Sequence, residues 1–427
     1  MGNQKIWGRR EFGKLALAST GVLMAPAVLA GGGKSRVVVV GGGVSGATAA
    51  RQLASINPDI EISLIEPNVG YVTPFFSNRA LVGIAPLDTF THDYKKLDAA
   101  SRVSVIHDKV VAGDPAKKQV QLSTGKTLPY DRLIVAPGTE LITDGISGYG
   151  PGTENIFPHA YNGTGPGQWQ LLQGQLQSLD NGGLVIMTVP KRPYRCTPAP
   201  YERASLIGDF LKQHKPRSKL LVLDAKNEFP LSDLMLEIWE AKFGENVEWV
   251  SADFGGALDS VDDRKRTVTA DGENHKPAIA NIIPPQRAGK IATDLGLADE
   301  SGWCPVDPLT FESRLHAGVH VLGDAIEGGD MPKSAAAAHS QAVTAAVAIS
   351  NALSGGTLAI PDLENRCYFL TEKGKALVIG GRYRIGEDKI IGIEGYSSAI
   401  DEDDATRRKT AATSDQWYRD ITQAMFG

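Results

Sequence analysis

Val37-Val38-Val39-Val40-Gly41-Gly42-Gly43-Val44-Ser45-Gly46 is the stretch that decides the fold. Four β-branched residues in a row read as a strand buried on both faces, the kind found inside parallel sheets. The glycines that follow, before the helical stretch Ala47 to Leu53, have separate physical roles. Gly41 permits the tight turn, Gly43 lets the backbone approach a pyrophosphate, and Gly46 lets the helix pack closely on the strand. Ser45 lies just ahead of that helix, whose N-terminal unpaired N–H groups and positive dipole favour an anion. A second strand, Ile60 to Ile65, ends at Glu66, twenty residues past the last glycine. An acid at that place accepts hydrogen bonds from a ribose hydroxyl. Strand, turn, helix and acid together predict a dinucleotide site.

Working outward, Tyr130-Asp131-Arg132-Leu133-Ile134-Val135-Ala136-Pro137-Gly138 resembles the strand that returns to the nucleotide domain in FAD-dependent disulfide reductases. Gly318-Val319-His320-Val321-Leu322-Gly323-Asp324-Ala325 resembles their second FAD motif, in which the Asp holds the ribityl chain. Met331-Pro332-Lys333-Ser334-Ala335 then opens an Ala-rich helix running to Ala348. Its N-terminus is expected to point at the flavin pyrimidine oxygen, where negative charge grows on reduction. The expected cofactor is FAD, with Gly41, Gly43, Ser45, Gly46, Glu66, Ala136, Gly138, Gly323, Asp324, Lys333 and Ser334 as its binding residues.

The α/β pattern repeats between about 155 and 275, with a strand at Gly183 to Val189, a helix at Tyr201 to Leu211 and a strand at Lys219 to Leu223. No second glycine fingerprint follows the first of these strands. The chain there reads Thr188-Val189-Pro190-Lys191-Arg192-Pro193-Tyr194-Arg195-Cys196. Two prolines without N–H donors and no glycine disfavour a nicotinamide cofactor.

Length and composition bound the alternatives. A chain of 427 residues accommodates two or three domains, and a net charge of −5 argues against a nucleic-acid partner. Three cysteines, Cys196, Cys304 and Cys367, are too few for a disulfide-stapled scaffold, and there is no Cys-x-x-Cys-His haem attachment sequence. At the N-terminus, Gly8-Arg9-Arg10-Glu11-Phe12 precedes an apolar run from Leu15 to Leu29. A paired arginine before a moderate apolar stretch resembles a twin-arginine export signal, which places the mature chain in the periplasm. No later segment is long and apolar enough to span a bilayer.

The loop around Cys196 makes the likeness specific. Pro193 to Arg203, Ile282-Ile283-Pro284-Pro285-Gln286, Trp303-Cys304-Pro305-Val306-Asp307, Arg366-Cys367-Tyr368 and the ending from Trp417 to Gly427 resemble the flavoprotein subunit of flavocytochrome c sulfide dehydrogenase. Sulfide:quinone reductases are its relatives. The resemblance implies an α/β fold with two Rossmann-like, glutathione-reductase-like units and a C-terminal α+β domain. It assigns residues 1–30 to the export signal, 31–150 and 276–358 to the FAD-binding domain, 151–275 to a degenerate second nucleotide-type domain, and 359–427 to the C-terminal domain at a cytochrome interface.

The same resemblance implies a redox-active disulfide between Cys196 and Cys367, with Glu202 as an active-site carboxylate managing protons. Sulfide would attack a disulfide sulfur, leaving a persulfide and a thiolate, and electrons would pass through FAD to a c-type cytochrome subunit. A sulfide:quinone reductase-like enzyme and an accessory flavoprotein of a sulfur-oxidising system are the alternatives. Cys304 is expected to be a small buried hydrophobe. Many family members bind FAD covalently through a cysteine in the loop that here reads Gly70-Tyr71-Val72-Thr73-Pro74-Phe75-Phe76-Ser77-Asn78. With no cysteine there, FAD is expected to be held non-covalently. The acidic–basic run Asp401 to Lys409 is expected to be a solvated loop, and the terminal aromatics to pack into the local core.

Overall fold

The computed structural model describes residues 34–100, 102–161, 166–357 and 362–427, so the expected export signal lies outside the described residues. Lys34–Gly427 form one contact unit. The opening strand is Ser35–Val40, and its four valines are at most 6% exposed. It pairs in parallel with Ile60–Ile65 on one side and Arg132–Val135 on the other. Val103–Ile106 and Val319–Val321 complete a five-stranded parallel sheet. The last of these strands comes from nearly two hundred residues downstream of its neighbour, so the chain leaves this sheet and returns to it. Helices Val44–Ile56 and Ala335–Ser354 pack on each other beside the sheet. Their facing positions are mostly alanines, whose small side chains let the two backbones come close.

A second parallel sheet runs Val247–Val250, Lys219–Asp224, Leu184–Val189 and Ile279–Ile282 in spatial order. The expected strands and the helix at 201–211 are present, the helix running Ala199–His214. The C-terminal part adds a three-stranded antiparallel sheet, Leu363–Glu372, Lys375–Ile385 and Ile390–Ser397.

One expectation is corrected. The run from Asp404 is no loop but the start of helix Asp404–Phe426. Asp403 caps it by accepting the Thr406 N–H at 2.8 Å, and Asp404 pairs with Arg408 one turn on. The opening turns face solvent, so they carry charge in place of an apolar stripe. Farther along, Tyr418, Ile421, Met425 and Phe426 are buried, in line with core packing of the terminal aromatics. Tyr418 packs against Phe76 at 4.8 Å between ring centroids and hydrogen-bonds Thr73 Oγ1 at 3.0 Å. The last helix thereby anchors the loop at 70–78.

Candidate active site

A cleft of about 190 Å³ opens at the C-terminal ends of the first parallel sheet, where α/β folds of this kind bind ligands. Gly41, Gly43, Ser45, Glu66, Ala136, Gly138 and Asp324 all line it. Gly41 has a φ of +98°, and a Cβ there would overlap the Ala136 carbonyl oxygen. A Cβ on Gly46 would overlap the Gly41 carbonyl oxygen, so this glycine serves the close helix–turn contact and not the cleft surface. Gly43 is the N-cap of helix Val44–Ile56, which has no side-chain cap and no acidic residue in its first turn. Its end therefore faces the cleft as an unneutralised positive dipole, suited to a pyrophosphate.

Glu66 accepts the Gly42 N–H at 2.9 Å, the Asn68 N–H at 2.9 Å and Asn68 Nδ2 at 2.7 Å. These bonds fix the carboxylate at the cleft wall, where its remaining lone pairs suit ribose hydroxyls. Asp324 offers a buried Oδ1 with no partner among the described residues. Burial raises its pKa, against the lowering effect of Arg195 and Lys333. A buried, unmet acceptor in a cleft wall calls for a donor from a ligand, and a ribityl hydroxyl supplies one. The residues present thus fit an FAD: a bare helix end for phosphates, an acid for ribose and a second acid for the ribityl chain.

Three other residues expected to bind the cofactor direct their polar atoms into the protein. Lys333 Nζ donates to the carbonyls of Asp324 at 3.0 Å and Ile326 at 2.6 Å, and lies 3.6 Å above the Trp303 ring. Burial pushes its pKa down to about 8. Ser334 caps helix Ala335–Ser354 by accepting the Ala337 N–H at 3.1 Å. Gly323 donates its N–H to Gln341 Oε1 at 2.9 Å. Each supports the cleft wall from behind.

Cys196 also lines the cleft, on the loop where a nicotinamide-binding relative would need glycines. Its backbone sits at φ +53°, uncommon for a residue with a Cβ. Three hydrogen bonds hold it there: its N–H to the Lys333 carbonyl at 2.7 Å, and its carbonyl from Ala199 N at 2.9 Å and Tyr161 Oη at 3.3 Å. Cys367, from strand Leu363–Glu372, reaches the same place, and the two thiols lie close enough to act on each other. The two sulfurs are not bonded to each other in this structure; the resemblance implies that they form a disulfide. Hydrogen bonding to Cys367 and burial push the Cys196 thiol up. The same bond from Cys196, aided by Ser334 and Asn365 and opposed by burial, holds Cys367 low. Cys304 is fully buried in the apolar core, where burial pushes its thiol up to about 12.

Glu202 lies behind the cleft wall, close enough for its charge to act on Cys196. It is buried, accepting Leu370 N–H at 2.9 Å and Asn78 Nδ2 at 2.8 Å, and is not among the side chains lining the cleft. Burial raises its pKa. Asn78 Oδ1 accepts Arg203 Nε at 3.0 Å, so an amide bridges a buried carboxylate and a buried guanidinium. The cluster ties the helix after Cys196 to the strand of Cys367 and to the loop at 70–78. No local sequence signal reveals it, because Asn78 and Leu370 lie 124 and 168 positions from Glu202.

Residues that sequence reasoning missed include Tyr71 and Phe75, which line the cleft from that loop, and Asp224. Asp224 ends the second strand of the second sheet, the counterpart of Glu66, and the same strand-end pattern would have found it. It is wholly buried and saturated from within. Oδ2 accepts Tyr201 Oη at 2.6 Å and Trp249 Nε1 at 3.0 Å, while Oδ1 pairs with Lys226 Nζ at 2.5 Å. Tyr201 stacks on Phe229 with ring centroids 3.8 Å apart. Protein donors thus take up the Asp224 carboxylate. Of the basic loop, Lys191 and Arg192 are exposed, whereas Arg195 lies in the cleft wall, its guanidinium bonded to the Tyr161 carbonyl.

Three family models match the chain. Residues 35–162 match pyridine nucleotide-disulphide oxidoreductase, 169–284 match the central part of the sulfide dehydrogenase (flavocytochrome c) flavoprotein chain, and 359–426 match the flavin-binding part of flavocytochrome c sulphide dehydrogenase. A mitochondrial sulfide:quinone oxidoreductase from Dictyostelium discoideum is 26% identical over 327 residues, 72% of this chain and 69% of that one. The sulfide dehydrogenase (flavocytochrome c) flavoprotein chain of Chlorobaculum thiosulfatiphilum is 50% identical over 46 residues, 11% of this chain and 96% of that sequence. The solved sulfide:quinone oxidoreductase of Aquifex aeolicus superposes with a TM-score of 0.70 at 18% identity, covering 92% of each chain, a likeness of fold. With a flavin-type cleft and matching segments along most of its length, the chain belongs to the flavocytochrome c sulfide dehydrogenase flavoprotein family, a family of sulfide-oxidising flavoproteins related to the sulfide:quinone reductases.

Proposed function

We propose that this protein oxidises sulfide with non-covalently held FAD and the Cys196–Cys367 pair, and passes the electrons to a c-type cytochrome subunit in the periplasm. The observation that carries this is the pair itself: two thiols 171 positions apart in sequence, brought side by side where Cys196 lines the flavin cleft. In the oxidised pair, hydrosulfide attacks one sulfur, a new S–S bond forms, the old one breaks, and the second sulfur leaves as a thiolate. When bound, the flavin supplies an acceptor that takes two electrons from these sulfurs and releases them one at a time. Arg195, in the cleft wall beside Cys196, supplies positive charge to attract hydrosulfide. The Glu202–Asn78–Arg203 cluster fixes the helix behind Cys196 against the strand of Cys367, so the two sulfurs stay in reach of each other.

Two observations favour a cytochrome over a quinone or a nicotinamide. The buried Asp224 with its protein partners argues against a second dinucleotide. The last helix turns Tyr418, Ile421, Met425 and Phe426 into the core, away from any membrane surface. Among the described residues no helix is long and apolar enough to cross a membrane. Lacking a cysteine, the loop at 70–78 supports non-covalent flavin. The test is a sulfide turnover assay with oxidised cytochrome c, a short-chain quinone or NAD⁺ as acceptor. Preference for cytochrome c supports the proposal; turnover with quinone alone contradicts it.

A further inference from the structure

The two thiols of the pair have unlike surroundings. The Cys196 thiol lies beside the Cys367 thiol. Cys367 Sγ meets that thiol, the Ser334 hydroxyl and, at 3.7 Å, the side-chain amide of Asn365. Ser334 and Asn365 are both buried and hydrogen-bonded to each other. Ser334 is also the N-cap of a 20-residue helix, its Oγ accepting the Ala337 N–H. Accepting that bond polarises the hydroxyl and makes its proton a better donor. The free N–H groups of the first helical turn add positive potential at the same spot.

The proton positions follow from donor and acceptor capacity. While Cys367 is a thiol, its S–H and the Ser334 O–H both donate to Asn365 Oδ1, which has two lone pairs. Once Cys367 loses its proton, its sulfur needs donors. The Ser334 hydroxyl rotates to supply one, and an Asn365 amide turned about its last bond supplies another. The groups acting on the Cys196 thiol besides Cys367 are Arg195, which favours its thiolate, and Glu202, which opposes it, while Asp324 opposes charge on Cys367. Cys196 is also the more exposed of the two, open to the cleft, whereas Cys367 is 9% exposed.

We propose that Ser334, with Asn365, is the positioning device that keeps charge on the Cys367 sulfur, making Cys367 the sulfur that leaves when hydrosulfide attacks Cys196. Hydrosulfide sulfur bonds to Cys196 Sγ, the Cys196–Cys367 bond breaks, and its electron pair stays on Cys367 Sγ. Cys196 becomes a persulfide and Cys367 a thiolate, so one negative charge enters and one remains. A sulfur that better bears charge leaves faster. The inference rests on the proposed role of the pair, and its test does not require sulfide.

The flavin-loaded full chain is reduced, treated with iodoacetamide across a pH series, and digested with trypsin. Cys196 follows Arg195 and Cys367 follows Arg366, so each thiol begins its own peptide and is read separately by mass spectrometry. Ser334→Gly keeps most of the helix cap but removes the hydroxyl. It is expected to move the Cys367 labelling profile to higher pH and cut labelling at low pH by about tenfold or more, with little change at Cys196. Ser334→Thr, which retains a hydroxyl, is expected to restore the parent profile, and Asn365→Ala to move it in the same direction as Gly. A Ser334→Gly profile that superimposes on the parent's would overturn the proposal, whether or not sulfide is oxidised.

Discussion

Replacing Glu202 with Gln distinguishes a clamp from a proton-transfer group. Glu202 Oε1 accepts Leu370 N–H and Oε2 accepts Asn78 Nδ2, while Asn78 Oδ1 accepts Arg203 Nε. A Gln can keep the Leu370 bond through its carbonyl oxygen, but its Nε2 then faces Asn78 Nδ2, donor against donor. Turning the Asn78 amide relieves that clash and sets its NH₂ against Arg203 Nε. Either way a buried donor is left without an acceptor, at a cost of about 1–3 kcal/mol. Arg203, 3% exposed, also loses a buried negative neighbour, although its bonds to the carbonyls of His159 and Ala160 and to Asn281 remain. The sum is roughly 2–4 kcal/mol, or several degrees in thermal midpoint. The assay is calorimetry of the flavin-loaded protein, paired with stopped-flow bleaching by sulfide at several pH values well below the midpoint. For a clamp, Glu202→Gln lowers the midpoint and slows bleaching without altering the shape of the pH profile. An unchanged midpoint together with loss of a limb of that profile would refute the clamp and make Glu202 a proton carrier.

Two further outcomes follow from the site. His159 accepts Tyr161 N–H through Nδ1 at 3.1 Å, and burial, with Arg203 nearby, pushes its pKa from 6.5 down to about 4. Between those values the unfolded chain takes up a proton that the folded protein refuses. Stability is therefore full above the upper value and falls by about 3 kcal/mol as pH drops through the window. His159→Gln should flatten that slope in thermal unfolding measured on either side of it; an unaltered slope assigns acid sensitivity to other groups. Precipitating the flavin-loaded protein with trichloroacetic acid should leave the yellow colour in the supernatant, and colour retained in the pellet would show a covalent link.

The parts of this protein that local chemistry dictates were legible in its sequence. Val37–Val40 with the glycine turn, the strand ending at Glu66, and the second α/β unit all follow from periodicity and from residues close together in the chain. The helix starting at Asp404 was not, because its opening turns lie in solvent and lack an apolar stripe; the Asp403 cap and the Asp404–Arg408 spacing were the available signals. Glu202's true partners, Asn78 and Leu370, lie 124 and 168 positions away, and no local pattern announces such a cluster. Lys333 and Ser334 were matched by motif, which gives position along the chain but not the direction of a side chain. The structure turns both polar groups into the protein, and this places Ser334 beside Cys367. Asp224 shows the reverse case: its strand-end position was readable, but its saturation by Tyr201, Trp249 and Lys226 was not.

The central claim is that sulfide delivers its electrons through the Cys196–Cys367 pair. It is tested most directly by anaerobic titration of the oxidised, FAD-loaded protein with sulfide while the visible spectrum is recorded, alongside Cys196→Ser and Cys367→Ser. The account predicts that sulfide bleaches the flavin absorbance of the parent protein and leaves both variants unchanged. A parent spectrum indifferent to sulfide, or bleaching that persists in both variants, would contradict it.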